Sequence, residues 1–119
     1  MPKRILVADD DTRVLILMRD MLELKGYSVI EARDGQEALD KAKSEKPDLV
    51  ILDVTMPKLD GDQVYMMLKA EPQNKSLPIL ILTGLRSDKE IEASQDLDMF
   101  AKPVKFDKLL GRMKQLLGE

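Results

Sequence analysis

Three consecutive aspartates, Asp9, Asp10 and Asp11, follow the apolar run Ile5-Leu6-Val7-Ala8, and Asp53 ends the run Leu49-Val50-Ile51-Leu52. Thr83 and Gly84 close a third run, Ile79-Leu80-Ile81-Leu82, while Lys102 stands before Pro103 just beyond Met99-Phe100-Ala101. Carboxylates gathered in one place repel and raise each other's pKa. A hard divalent cation relieves that repulsion, and so does a nearby ammonium. Mg²⁺ prefers a few carboxylates plus water at an open site, and Lys102 supplies the ammonium. Anions flanking a metal, with a hydroxyl and a lysine opposite, make a site for phosphoryl transfer, where the protein contributes positioning and charge neutralisation. A carboxylate can itself be the nucleophile.

Composition narrows the chemistry further. The 119 residues include no His, no Cys and no Trp. A disulfide framework, a thiol nucleophile, a zinc-thiolate site, a Ser-His-Asp triad and an imidazole proton shuttle are therefore all excluded. Lys plus Arg is 19 against 22 Asp plus Glu, a formal charge of −3. That balance argues against direct nucleic-acid binding, which needs a basic face. No apolar run approaches the ~20 residues that span a bilayer, and acidic residues follow the first apolar run at once, unlike a signal peptide. The expectation is a cytoplasmic protein without membrane insertion, forming one domain over residues 1–119.

The elements that must position these groups alternate in type. Short runs read as strands at Ile5 to Ala8, Ser28 to Ala32, Leu49 to Leu52, Ile79 to Leu82 and Met99 to Ala101. Continuous apolar runs suit strands covered on both faces. Between them, amphipathic spacing predicts helices over Thr12 to Leu24, Gly35 to Glu45, Asp62 to Ala70 (Val64, Met67 and Leu68 inward) and Ser87 to Gln95 (Ile91 and Ala93 inward). The last helix carries the clearest stripe: Phe106, Leu109, Leu110, Met113, Leu116 and Leu117. Gly26 is placed just past the first helix, Pro47 obliges Lys46 to leave the helical region, and Pro72 to Ser76 reads as loop. Such βα alternation implies an α/β fold, a five-stranded parallel sheet with helices on both faces. In sheets of this kind ligands bind beyond the carboxyl ends of the strands, which is where Asp9, Asp10, Asp53, Thr83 and Lys102 fall.

Taken together, Val7-Ala8-Asp9-Asp10-Asp11, Leu52-Asp53-Val54-Thr55-Met56-Pro57, Asp60-Gly61, Leu82-Thr83-Gly84 and Lys102-Pro103 resemble the receiver domain of two-component response regulators. The resemblance covers essentially the whole chain and is to the stand-alone, chemotaxis-regulator-like form. It implies a flavodoxin-like doubly wound (βα)5 fold with strand order 2-1-3-4-5. It implies that Asp53 accepts a phosphoryl group from a phosphohistidine. Asp9, Asp10, Asp53 and the Thr55 backbone carbonyl would hold Mg²⁺, Thr83 would bond a phosphoryl oxygen, and Lys102 would pair with the phosphate. A cis Lys102-Pro103 peptide is also implied. The partners implied are a histidine kinase or histidine phosphotransfer protein, and a downstream protein target bound by the face of the fourth helix, fifth strand and fifth helix. The chain departs from the family's pattern at Met99, where many relatives carry an aromatic, and in a Thr83 to Lys102 stretch about three residues short of the usual βα unit.

Plainer readings stand beside these. Asp11 or Thr12 suits a helix cap, Thr83 has ordinary β-propensity, and the eight methionines read as core filler, with Tyr65 and Met66 partly exposed. Competing functions are an aspartyl-phosphate phosphatase, a flavin binder, and a receiver-like interaction module that works without phosphorylation. The phosphatase would need a second aspartate where Thr55 stands. The flavin binder would need a hydroxyl- and glycine-rich phosphate cradle where the chain has Asp-Asp-Asp-Thr. The expectation carried forward is a signalling phosphoacceptor that catalyses only its own phosphorylation and dephosphorylation.

Overall fold

The computed structural model describes residues 2–119. Its elements run β1 (Arg4–Ala8), α1 (Thr12–Leu24), β2 (Ser28–Ala32), α2 (Gly35–Glu45), β3 (Leu49–Asp53), α3 (Gly61–Lys69), β4 (Ile79–Thr83), α4 (Asp88–Ser94), β5 (Met99–Ala101) and α5 (Phe106–Leu117). All five strands pair in parallel, in the order β2-β1-β3-β4-β5, as expected. The order reverses direction between β1 and β3, so the ends of those two neighbours open a crevice.

Strand alternation builds two cores from single apolar runs. Ile5, Val7, Leu49, Ile51, Leu80 and Leu82 face α1 and α5, meeting Leu15, Leu22, Leu109 and Met113. Leu6, Ala8, Val50, Leu52, Ile79 and Ile81 face α2 and α3, meeting Leu39, Val64 and Leu68. Each fully buried aliphatic side chain contributes roughly 1.5–3 kcal/mol relative to exposure, so the central strands are the most strongly held part of the sheet.

The helices start where their caps dictate. The carboxylates of Asp11, Asp34 and Asp60 accept backbone N–H bonds at the starts of α1, α2 and α3, and Asp60 with Gln63 forms a capping box. Ser87 and Glu90 form another at α4. Gly26 adopts φ 92°, and Gly26 N–H to Glu23 with Tyr27 N–H to Leu22 completes the Schellman ending of α1.

Several expectations need correction. The Asp60 cap starts α3 one residue early, at Gly61, and the helix closes at Lys69. Met67 lies 44% exposed rather than inward, because α3 packs through only the Val64 and Leu68 line. On α4, Ile91 is buried but Ala93 is exposed, since a helix of 7 residues offers a single inward turn. Pro72–Asn74 is a 3-10 turn rather than plain loop. Lys46 leaves the helix as expected, but into the left-handed region at φ 49° rather than the extended one. Met66 is 70% and Tyr65 39% exposed, as anticipated.

Candidate phosphoacceptor site

The site lies at the carboxyl ends of β1, β3, β4 and β5. Asp9 is the first residue beyond β1, fixed by its backbone N–H to the Ala32 carbonyl at 3.1 Å. Its Oδ1 accepts the Asp11 N–H at 2.9 Å. Asp53 is the last residue of β3, and its Oδ1 accepts the Thr55 N–H at 3.4 Å. One carboxylate oxygen from each of Asp9, Asp10 and Asp53 lies within 4.8 Å of the others. Among the described residues, the buried polar side chains are Asp9, Asp53 and Thr83, exposed by 2%, 5% and 2%. A fold that buries polar groups in one spot alone has concentrated its desolvation cost at that spot.

Lys102 offsets part of that cost. Its Nζ stands 2.9 Å from Asp53 Oδ2 and 3.3 Å from Asp9 Oδ2. Burial works against the ammonium, but the Asp53 hydrogen bond and the charges of both aspartates outweigh it and hold the lysine above its ordinary pKa. Asp9 is pushed upward, chiefly by burial and then by the Asp53 charge; its bond from Asp11 and the nearness of Lys102 do not fully compensate. One ammonium is thus set against three carboxylates.

Thr83 and Lys102 belong to one backbone unit. The Lys102 N–H donates to the Thr83 carbonyl at 2.8 Å. The Thr83 hydroxyl oxygen accepts the Leu85 N–H at 3.0 Å, and the Lys102-Pro103 peptide is cis. The structure therefore gathers Asp9, Asp10, Asp53 and Lys102, and puts Thr83 at the end of the neighbouring strand. Thr55 is exposed on the loop directly after Asp53.

Gly61 has a role that its motif did not reveal. Its N–H donates to the Val54 carbonyl at 2.8 Å, and a β-carbon there would overlap the Asp53 carbonyl oxygen. Only glycine lets α3 start this close to Asp53. No spacing rule in the sequence signals that contact; the adjacent Asp60 cap is the sole local hint.

The donor set suits the cation implied by the resemblance. The clustered donors are all carboxylate oxygens, two of them on buried residues (Asp9 and Asp53) and one on the exposed Asp10. A hard, partly hydrated ion such as Mg²⁺ fits that set, and a thiophilic or imidazole-seeking metal does not.

The response regulator receiver domain family model matches residues 5–114. The chain belongs to the response-regulator receiver family. This receiver is 47% identical over 120 residues to the response regulator MprA of Mycolicibacterium vanbaalenii, an alignment spanning 98% of the chain and 51% of that protein. The chain thus spans about half the length of that relative. Among solved structures, a Francisella response regulator receiver domain matches with TM-score 0.84 and 32% identity, covering 98% of this chain and 97% of that one. A chemotaxis response regulator of Vibrio cholerae matches with TM-score 0.83 and 31% identity, covering 98% and 100%. The receiver is a phosphoacceptor module of two-component signalling with an acidic pocket of Asp9, Asp10 and Asp53. No helix among the described residues is long and apolar enough to cross a membrane.

The fifth-strand region shows what the Met99 departure means structurally. Met99 packs toward the α2 and α3 side of the sheet, and Phe100 toward the α1 and α5 side. The Arg86 guanidinium donates to the Met99 sulfur at 3.8 Å. The position facing α4 thus holds a flexible thioether, and the neighbouring aromatic is committed to the opposite core.

Proposed function

We propose that Asp53 is the phosphoacceptor of a cytoplasmic signalling switch charged by a histidine kinase or histidine phosphotransfer protein. A carboxylate oxygen of Asp53 attacks the phosphorus of the donor's phosphohistidine. The new O–P bond forms as the N–P bond breaks, and the departing imidazole nitrogen keeps the electron pair. These 119 residues hold no His, so the donor nitrogen lies outside them or is replaced by the leaving group of a small phosphodonor. The reading is carried by one observation: a nearly fully buried carboxylate, Asp53, sits 2.9 Å from the Lys102 ammonium inside a cluster of two more carboxylates.

Each neighbour has a part. The carboxylates of Asp9, Asp10 and Asp53, with the Thr55 backbone carbonyl, would hold Mg²⁺, which supplies neutralisation of the phosphoryl oxygens. Asp9 orients through its bond from Asp11. Lys102 pairs with the phosphoryl group once Asp53 has become the acyl phosphate, and Thr83 donates its hydroxyl to a phosphoryl oxygen. The added charge draws Thr83 and Lys102 toward it and biases the α4, β5 and α5 face that binds a downstream protein. No direct nucleic-acid contact or catalysis on other substrates is part of this reading, in keeping with the −3 charge and with Thr55 in the place of a general acid.

The test is incubation with acetyl phosphate and Mg²⁺, read by intact mass. The expected result is one phosphoryl increment on the wild type and none on Asp53→Asn. A wild type as blank as that variant across pH and donor concentration would refute the reading.

A further inference from the structure

The acceptor loop, Val54 to Asp60, is held from outside by a neighbouring corner. Asp34 and Gly35, at the start of α2, lie against it through three separate contacts. The Gly35 N–H donates to the Pro57 carbonyl at 3.2 Å. The Lys58 ammonium lies 3.5 Å from Asp34 Oδ2, on a lysine held in the left-handed region at φ 70°. A β-carbon on Gly35 would overlap the Leu59 carbonyl, so the α2 backbone and the loop backbone touch with no side chain between them. The loop is tied from below as well, since Met56 is buried among Leu6, Ala8, Ala38 and Leu39.

We propose that Gly35 is a positioning residue for the cation site: by seating the loop on the start of α2, it fixes the Thr55 backbone relative to Asp53 before any cation arrives. The proposal rests on the phosphoacceptor reading above. Asp53 is rigid because it ends a buried strand, and Asp9 is rigid because it ends another. Thr55 has no such support of its own; it is exposed, and its N–H bond to Asp53 is long at 3.4 Å. A left-handed non-glycine residue persists only where its surroundings determine it; at Lys58 these are the tight turn closed by the Leu59 N–H to the Pro57 carbonyl at 2.8 Å and, outside it, the Asp34–Gly35 corner. A preorganised donor set binds a small octahedral cation without further ordering of the chain; partners bonded directly to metal ligands typically govern affinity by about 10- to 100-fold, and Gly35 acts one contact further out, through the loop that carries Thr55.

The experiment titrates Mg²⁺ calorimetrically into unphosphorylated wild type, Gly35→Ala and two controls. Gly111→Ala adds a methyl group where a β-carbon meets nothing within 4 Å. Met113→Ala destabilises the fold from the far core. Gly35→Ala is expected to lose about tenfold or more in Mg²⁺ affinity, while both controls keep the wild-type value. A folded Gly35→Ala with wild-type affinity, or an equal loss in Met113→Ala, overturns the proposal. Should Gly35→Ala not fold, amide exchange in the wild type decides. Saturating Mg²⁺ must slow exchange of the Gly35 amide, which touches no ligand of the ion, and an unchanged rate overturns the proposal. A wild type that neither binds Mg²⁺ nor accepts phosphate refutes the phosphoacceptor reading itself, whereas a competent wild type with an indifferent Gly35 refutes only the brace.

Discussion

Lys102 reaches Asp53 across the end of the sheet at 2.9 Å and keeps a second, longer contact of 3.3 Å with Asp9. The two carboxylates therefore share one counter-ion. On the proposed function, that sharing should give Lys102 opposite effects on cation binding and on phosphoryl transfer.

Replacing Lys102 by Met removes a positive charge from beside the cation site and also removes the partner of the phosphoryl oxygens. Mg²⁺ affinity should rise a few-fold, because like charges no longer compete. Phosphorylation by acetyl phosphate should slow by about 10² or more, the usual loss for a missing charge-stabilising donor. Calorimetry and a mass-resolved time course check the two signs, and a parallel fall in both contradicts the assignment.

Asp9 sits above its ordinary 3.8, so the metal-free fold holds the protonated form more tightly than the unfolded chain does. Its contribution to stability is fully present below 3.8 and is lost as pH rises through the folded value, which lies higher. At neutral pH the ionised Asp9 therefore destabilises the metal-free protein. Asp9→Asn keeps an acceptor for the Asp11 N–H, and should raise the melting temperature in chelator by a few degrees while abolishing the stabilisation that Mg²⁺ gives the wild type. Thermal denaturation with and without Mg²⁺ reads both effects. For the wild type, acidification should weaken Mg²⁺ binding beginning at pH values above 3.8.

The Tyr27 hydroxyl donates to Glu119 Oε1 at 2.7 Å. Burial first, then this bond and the Glu119 charge, push its pKa up to about 12. The stability linked to the neutral phenol is complete below the ordinary value of 10.0 and disappears as pH climbs to about 12. An absorbance titration near 295 nm should show one phenol resisting ionisation until about pH 12, and Tyr27→Phe should remove that component. The same variant should cost on the order of 1 kcal/mol, the worth of one hydrogen bond.

Two glycine substitutions should differ in sign. Gly111 lies mid-helix in α5, with nothing within 4 Å of an added β-carbon, so Gly111→Ala should stabilise by roughly 0.5–1 kcal/mol. Gly61→Ala must displace the backbone that carries Asp53, and should destabilise by about 1–3 kcal/mol. Urea midpoints at unchanged slope decide between them.

The strands were legible because a run such as Leu49 to Leu52 has no polar face to offer water, which leaves only a central parallel strand. Asp53 was legible for the same reason, as a charge ending such a run. Less legible was anything set by one element lying against another. Met67 and Ala93 have helical spacing, but α3 and α4 pack through narrower lines than their composition allows. Gly35 reads as an ordinary helix start and Gly61 as a loop residue ahead of Asp62, since their importance lies in carbonyls at Leu59 and Asp53, brought close only by the fold. The Tyr27 bond to Glu119 spans almost the whole chain, and no local pattern encodes it.

The Lys102 N–H to Thr83 carbonyl bond makes a fork of the two groups proposed to meet the phosphoryl oxygens. Both prongs rise from one rung of the β4–β5 ladder, so the main chain sets the gap between their roots. A change of prong, such as Thr83→Ser, keeps the gauge of the fork. A slip of β5 by a single residue would reset both prongs together. On the proposed reading, the short edge strand would act as the calliper that sizes the phosphoryl group, although it contributes little to the core.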